Sequence, residues 1–161
     1  MQPVESKHFE SKHFEFEADF VKSLRCIPMG VRYKLDIVGI KLKLEHWHQF
    51  SYKLRQTLVE AHVEEPESIA HYRTLLEDAV KHHSSVPLKE LPIDPNPPWN
   101  IAVDIPDSVQ QKAAELNVAI TLEDWKSLSP LERFALIKLS RPSHENHNFL
   151  PALKEFGIIP D

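Results

Sequence analysis

Histidine is the residue type in this sequence with the greatest capacity for metal binding or acid–base chemistry, because it occurs ten times in 161 residues. Three pairs lie close together in the chain: His46 and His48, His82 and His83, and His144 and His147. Only the last pair has the i, i+3 spacing that places two rings on one helical face. A metal site would need a third ligand, from Glu145 or elsewhere, and the spacing fixes none. We therefore interpret the pair as solvated polar residues near a helix start, and predict no metal and no cofactor.

The single cysteine, Cys26, follows Arg25, and a positive neighbour favours the thiolate form of a thiol. No second cysteine is present to form a redox pair, and no histidine has a spacing typical of a nucleophile–base couple. We predict a buried structural cysteine, since free cysteine is among the most buried residue types. The chain also has only three glycines, and it contains no nucleophile elbow, phosphate-binding loop or dinucleotide fingerprint. These features predict a protein that is not an enzyme and has no catalytic residues.

The most polar stretch, residues 140–148, separates two apolar segments. It is consistent with an ordinary loop between helices, in which Ser143 caps the helix that follows. Alternatively, its arginine, histidines and asparagines offer hydrogen-bond donors to an anionic or polar partner. On this second interpretation the partner-binding residues are Arg141, His144, Asn146 and His147.

An internal repeat organises the elements that would position these residues. A shift of 78 residues aligns residues 27–80 with 105–158 without a gap, and thirteen of the 54 pairs are identical. Average amino-acid usage would give about three identities by chance. The identical pairs include Glu45 and Glu123, Trp47 and Trp125, and Arg55 and Arg133. Their recurrence in both copies predicts a shared scheme of packing and ion pairing, not a catalytic site.

Local signals predict the same series of helices in each copy. Pro28 and Pro106 suit a first helical turn, and the helix after each proline is expected to end at Gly39 or Asn117, residue types that tolerate the left-handed conformation. A short extended link and a short helix around each tryptophan follow. The next helix of each copy begins after a serine, and Ser129 precedes a proline and a capping-box glutamate. The last helices are expected over residues 66–82 and 146–156.

We therefore predict a mainly α protein, an internally duplicated helical unit with few or no strands. The expected organisation is a flexible N-terminal arm at residues 1–13, a first helical unit at 14–83, a connector at 84–104 and a second helical unit at 105–161, in one compact domain. Five of the thirteen prolines lie in the connector, which favours an extended segment. Its apolar residues suggest that it lies on the surface of the core.

Composition limits the partners and the location. The formal net charge is −5 and the isoelectric point is near 6.0, so neither nucleic acid nor an anionic membrane is an expected partner. No apolar run approaches the roughly 20 residues that span a bilayer. The N-terminal residues do not have the basic and apolar regions of a signal peptide. We expect a cytoplasmic protein.

Two long segments resemble the nitrate reductase-associated proteins. The opening of that family resembles FEFEADFVKSLRCIPM at residues 14–29, VRYKLD at 31–36 and GIKLKL at 39–44, and its ending resembles RFALIKLSRPSHENHNFLPALKEFG at 133–157. The resemblance covers about residues 14–158. It implies a cytoplasmic protein, found mainly in cyanobacteria, that is needed for active assimilatory nitrate reductase. That reductase carries a molybdopterin cofactor and an iron–sulfur cluster. The resemblance supplies no catalytic residues.

The resulting hypothesis is a non-catalytic accessory or maturation factor, a chaperone that binds the nitrate reductase polypeptide. The predicted contacts are the polar loop and the aromatic residues Phe14, Phe16 and Phe20, although these aromatic residues are equally suited to packing on their own core. The alternative is a carrier or insertion protein for the molybdenum cofactor, with helix N-termini and arginine binding its pyrophosphate. An electron-transfer role is rejected, because one cysteine cannot hold an iron–sulfur cluster.

Overall fold

The computed structural model describes residues 13–18, 23–142 and 146–160. The chain divides into two compact units, residues 1–93 and 94–161, and the boundary lies inside the proline-rich connector. The helices of the first unit are α1 (Met29–Val38), α2 (Leu44–Gln49), α3 (Tyr52–Glu60) and α4 (Pro66–His83). Those of the second unit are α5 (Asp107–Glu115), α6 (Leu122–Ser127), α7 (Pro130–Ser140) and α8 (Phe149–Glu155). Short 3-10 turns occupy Glu15–Glu17, Pro98–Asn100 and Asn146–Asn148.

The mainly α fold is confirmed. The described residues form a single two-stranded antiparallel sheet, in which β1 (Ile40–Lys41) pairs with β2 (Lys89–Glu90). Beyond the paired residues, the Leu91 N–H donates to the Gly39 carbonyl at 2.8 Å. This short ladder holds the first part of the connector against the first unit. In the described part of the chain, no helix is both long and apolar enough to cross a membrane.

The first unit is built around side chains from all four of its helices. Trp47 of α2, Leu58 of α3, and Tyr72 and Leu76 of α4 are each fully buried. Val31, one turn into α1, is also buried and belongs to the same cluster. Burying these aromatic and aliphatic side chains supplies the main driving force for assembling the unit.

The second unit is organised around α7, as its nearly continuous apolar pattern predicts. Residues 133–137, 139 and 140 of this helix are buried. Trp99, from the second part of the connector, places its ring edge-on to Phe134, with centroids 4.9 Å apart. Trp125 of α6, Phe134 of α7 and Phe149 of α8 are the fully buried aromatic residues described in this unit. A helix that is apolar on most of its faces is stable in water only when neighbours surround it.

The helix boundaries agree with the local signals, with small differences. Gly39 and Asn117 follow their helices with φ of 76° and 59°, the left-handed conformation expected of them. The predicted capping box at Ser129 is present. Pro28 and Pro106, however, are N-cap residues, one position before the first turn. Residues 146–156 are not one helix, because a 3-10 turn precedes α8.

The Tyr72 hydroxyl donates to the Leu58 carbonyl at 2.8 Å, and its burial raises the pKa of Tyr72 above the ordinary value. The unfolded chain loses this proton near pH 10, whereas the folded chain retains it. We therefore expect the free energy of unfolding to fall as pH rises above about 10, by up to ~1.4 kcal/mol per pH unit from this group. Tyr72→Phe should reduce that slope. Urea denaturation of both proteins at pH 8, 9, 10 and 11 measures it, and identical slopes would contradict this assignment.

Candidate functional site

The repeated tryptophan and arginine of the first unit bind backbone carbonyls. The Trp47 indole donates to the Leu24 carbonyl at 2.6 Å. The Arg55 guanidinium donates to Trp47 at 3.1 Å, to Leu24 at 3.1 Å and to His48 at 3.2 Å, in each case at the carbonyl oxygen. Trp47 and His48 lie in the last turn of α2, whose carbonyls have no partner within the helix. Arg55 therefore caps the end of α2 and ties it to the segment before α1.

The second unit repeats this arrangement. The Trp125 indole donates to the Ile101 carbonyl at 3.4 Å, and Arg133 donates to the Trp125 carbonyl at 3.0 Å. Arg133 also donates to the Trp99 carbonyl at 2.8 Å. Helix α6 has the bounds of α2 shifted by 78 residues, and α7 starts 78 residues after α3. The same residues thus make the same kind of contact in each unit.

The sequence predicted ion pairs at the repeated positions, and this prediction is wrong for the two repeated glutamates, Glu45 and Glu123. Glu45 and Glu123 are exposed, and within the described ranges neither forms an ion pair. Each lies in the first turn of its helix, where a negative charge is favoured by the helix dipole. The repeated arginines bind carbonyls instead, because a guanidinium offers several donors that match a helix C-terminus. Both sets of residues are accounted for by folding.

His46 is a fully buried histidine that the sequence interpretation did not single out. Its Nδ1 accepts from the Lys43 N–H at 3.0 Å, so Nε2 carries the proton that is donated to the Val86 carbonyl at 2.9 Å. In the second unit the equivalent Asp124 accepts from the Thr121 N–H at 3.0 Å. The signal that could have found His46 is its position, three residues after the N-cap, where a capping-box acceptor belongs.

The described part of the aromatic arm, residues 13–18, is bonded to the start of α1. Phe14 is 8% exposed, and its ring stacks on Phe16 at 5.1 Å between centroids. Glu17, at 2% exposed, accepts from the Phe14 N–H at 3.1 Å and from the Met29 N–H at 2.7 Å, which caps the start of α1. Phe20 lies outside the described residues. The burial of Phe14 supports the alternative that this part of the arm packs on its own core.

The polar loop lies between two buried residues, Ser140 at the end of α7 and Phe149 at the start of α8. Ser140 donates to the Ile137 carbonyl at 2.7 Å, and Phe149 is fully buried on the other side. Between them, Arg141 and His147 are exposed and Asn146 is half-buried. Over the described ranges, no side chain accepts a hydrogen bond from the Arg141 guanidinium, whereas His144 lies outside those ranges. Arg141 and His147 are therefore exposed on either side of residues 143–145, which the structure does not describe.

One cluster of possible metal ligands lies among the described residues, at His62, Glu64 and Glu65 before α4. All three are exposed, and His62 Nε2 lies 3.0 Å from one oxygen of Glu65. This hydrogen bond raises the pKa of His62 and lowers the pKa of Glu65. A solvent-exposed pair of this kind accounts for the closeness of these three side chains without an ion.

The single cysteine is less buried than predicted. Cys26, predicted to be buried, is half-buried.

An open groove of about 410 Å³ follows the C-terminal end of α4. Val80, Val86 and Leu88 form much of its apolar lining, and Glu77 and Lys81 are its charged residues. A pyrophosphate is bound best by several arginines, lysines or backbone N–H groups. One lysine beside one glutamate is a poor match to that chemistry.

Comparison with known protein families identifies one family that matches most of the chain. Residues 13–156 match the conserved nitrate reductase-associated proteins, and the chain belongs to this family. Neither a curated protein nor a solved structure matches the chain.

Proposed function

We propose that this nitrate reductase-associated protein is a non-catalytic accessory factor that promotes maturation or activity of assimilatory nitrate reductase by binding the reductase polypeptide. The family match over residues 13–156 is the observation that carries the proposal. Because it extends over nearly the entire chain, the association named by the family concerns this fold as a whole.

The contacts of the most polar buried side chains support a binding role. His46, Arg133 and Glu17 are buried, and each forms hydrogen bonds with backbone groups that hold helices in place. Buried polar groups that are engaged in this way stabilise one conformation. A rigid helical scaffold that presents a surface loop suits recognition of another protein.

The proposed contact on the reductase is the polar loop, through Arg141, His144, Asn146 and His147. Phe16 and Phe20 remain candidates in the arm, whereas Phe14 is buried. Arg141 can donate several hydrogen bonds to carboxylates or carbonyls of a partner, which gives a well-oriented contact.

The first test is a pull-down of the tagged full-length protein from cells that make the molybdenum cofactor and from cells that do not. Reductase recovered mainly from cofactor-deficient cells would identify a chaperone of the apoenzyme. Recovery mainly from cells that make the cofactor would indicate a role after cofactor insertion. Absence of reductase from both, with pterin bound to the protein, would replace the proposal with the carrier function.

Reversing the charge of the loop should weaken this interaction. We expect Arg141→Glu combined with His147→Glu to lower reductase recovery by roughly tenfold, the effect of losing about 1.4 kcal/mol of binding free energy. Both side chains are exposed, and a thermal melt followed by circular dichroism establishes that the variant is folded. Arg25→Glu alters an exposed arginine of the first unit and is the matched control. Undiminished recovery with the loop variant would exclude the loop from the interface.

A further inference from the structure

Three apolar side chains of the second unit are exposed at positions close in the chain to Trp125 or to Ile101, the residue whose carbonyl accepts from the Trp125 indole. Ile101 is 38% exposed, Val103 is 67% exposed and Leu122 is 39% exposed. The Ile101 carbonyl accepts from the Trp125 indole, Val103 follows two residues later, and Leu122 begins the helix one turn before Trp125. We call these three residues the 101–122 surface.

The first unit is built differently at the same place. The carbonyl that accepts from its tryptophan belongs to Leu24, which is only 2% exposed. Ahead of α1, residues 13–18 supply the Glu17 carboxylate that accepts from the Met29 N–H. In the second unit, among the residues that the structure describes, no side chain accepts from the equivalent N–H of Asp107. The arm of the first unit therefore caps the start of α1, and the start of α5 has no such cap among the described residues.

Packing within the unit does not require an apolar side chain at Val103. Val103 buries only a third of its surface, so its contacts contribute little to folding. The Trp125 bond uses the backbone of Ile101, and any side chain there would preserve it. Exposed apolar residues grouped beside a rigid buried tryptophan have the composition of an interface core.

The charges around the 101–122 surface are mostly negative. Asp104 directly follows Val103, Glu123 directly follows Leu122, and Asp107 lies four residues after Val103. All three carboxylates are exposed, and Lys126 is the exposed cation of α6. The second unit as a whole has ten acidic residues against six lysines and arginines, and the first unit has fourteen against thirteen. Most of the net negative charge of the protein thus belongs to the unit that carries the exposed apolar residues.

We infer that the 101–122 surface binds a polypeptide segment of the reductase in which apolar side chains are flanked by lysine or arginine. The apolar side chains of that segment cover Ile101, Val103 and Leu122, and its cations face Asp104 and Glu123. Such charge complementarity speeds association and selects the partner. This inference rests on the proposed function and adds a second contact to the polar loop.

The test is a titration of the purified full-length protein with purified reductase, in which calorimetry or biolayer interferometry measures the Kd. Val103→Lys with Leu122→Lys should raise the Kd at least tenfold, and Val103→Ser alone should raise it severalfold. Leu44→Lys is the matched control, because Leu44 is 48% exposed and begins α2 as Leu122 begins α6. Its Kd should equal that of the unmodified protein. Circular dichroism establishes that each variant is folded.

The outcomes separate the two proposals. If the unmodified protein does not bind reductase, the proposed function fails and this inference fails with it. If it binds and the double lysine variant binds equally well, the 101–122 surface alone is excluded. A dimer of this protein that the double variant abolishes, with reductase binding unchanged, would overturn the inference and assign the surface to self-association.

Discussion

Replacing Arg133 with methionine is expected to lower the free energy of unfolding by about 2–3 kcal/mol, because the Trp99 carbonyl loses its guanidinium donor and the buried Trp125 carbonyl keeps only the Leu128 N–H. Arg133 is 7% exposed, and it donates to Trp99 and to Trp125. Methionine retains most of the apolar stem, so the effect isolates the guanidinium. The measurement is urea denaturation followed by tryptophan fluorescence.

Three comparisons make this prediction specific. Arg133→Lys retains a charge but cannot reach two carbonyls with a fixed fork, so an intermediate loss is expected. Arg55→Met removes the equivalent contacts in the first unit, where the side chain is half-buried and water can replace part of them. We expect about 1–2 kcal/mol there. Arg141→Met, at an exposed site, should leave the midpoint unchanged. A loss below 1 kcal/mol for Arg133→Met would show that the hydrogen bonds of Arg133 to the Trp99 and Trp125 carbonyls do not stabilise the unit.

Replacing Gly39 with alanine is expected to lower the free energy of unfolding by about 2–3 kcal/mol, since backbone strain and a steric clash combine. Its φ is 76°, a conformation that residues with a Cβ rarely adopt. An added Cβ would also lie 2.7 Å from the Ile93 Cγ1 atom and 3.1 Å from the Leu91 carbonyl oxygen. Ile93 can rotate away, but Leu91 is held by its hydrogen bond to Gly39.

Gly157 provides the control for this experiment. Its φ is 79°, nearly that of Gly39, but no atom lies within 4 Å of the position where a Cβ would be added. Gly157→Ala should therefore show the conformational effect alone, about 1 kcal/mol. Thermal and urea denaturation of both variants measure the difference. Equal losses at the two glycines would show that Ile93 and Leu91 impose no constraint on α1.

The helices were predictable because their signals are local. The capping box at Ser129, the left-handed residues Gly39 and Asn117, and the periodicity of α7 depend on neighbours within about four residues. The 78-residue offset is also visible in the chain itself, and the bounds of α2 and α6 repeat it. The family could be identified from sequence for the same reason, since it rests on contiguous segments.

Contacts between distant segments could not be predicted in this way. The sequence marked Arg55 and Arg133 as important, but the carbonyls that they bind lie up to 34 residues away. An ion pair with a nearby glutamate was the simpler expectation, and it was wrong. Likewise, capping by His46 follows from its spacing, whereas its bond to Val86 depends on where the connector returns.

The helical class, the repeated order of elements and the family follow from the sequence alone, because these depend on short-range preferences and on the order of residues. Which side chains remain available to a partner depends on how the elements pack. The fold buries Phe14 and Glu17, leaves Arg141 and Val103 exposed, and caps the start of α1, but not of α5, with a side chain of the preceding segment. Exposure is a property of the assembled surface, since the same apolar side chain is core or interface according to what packs over it.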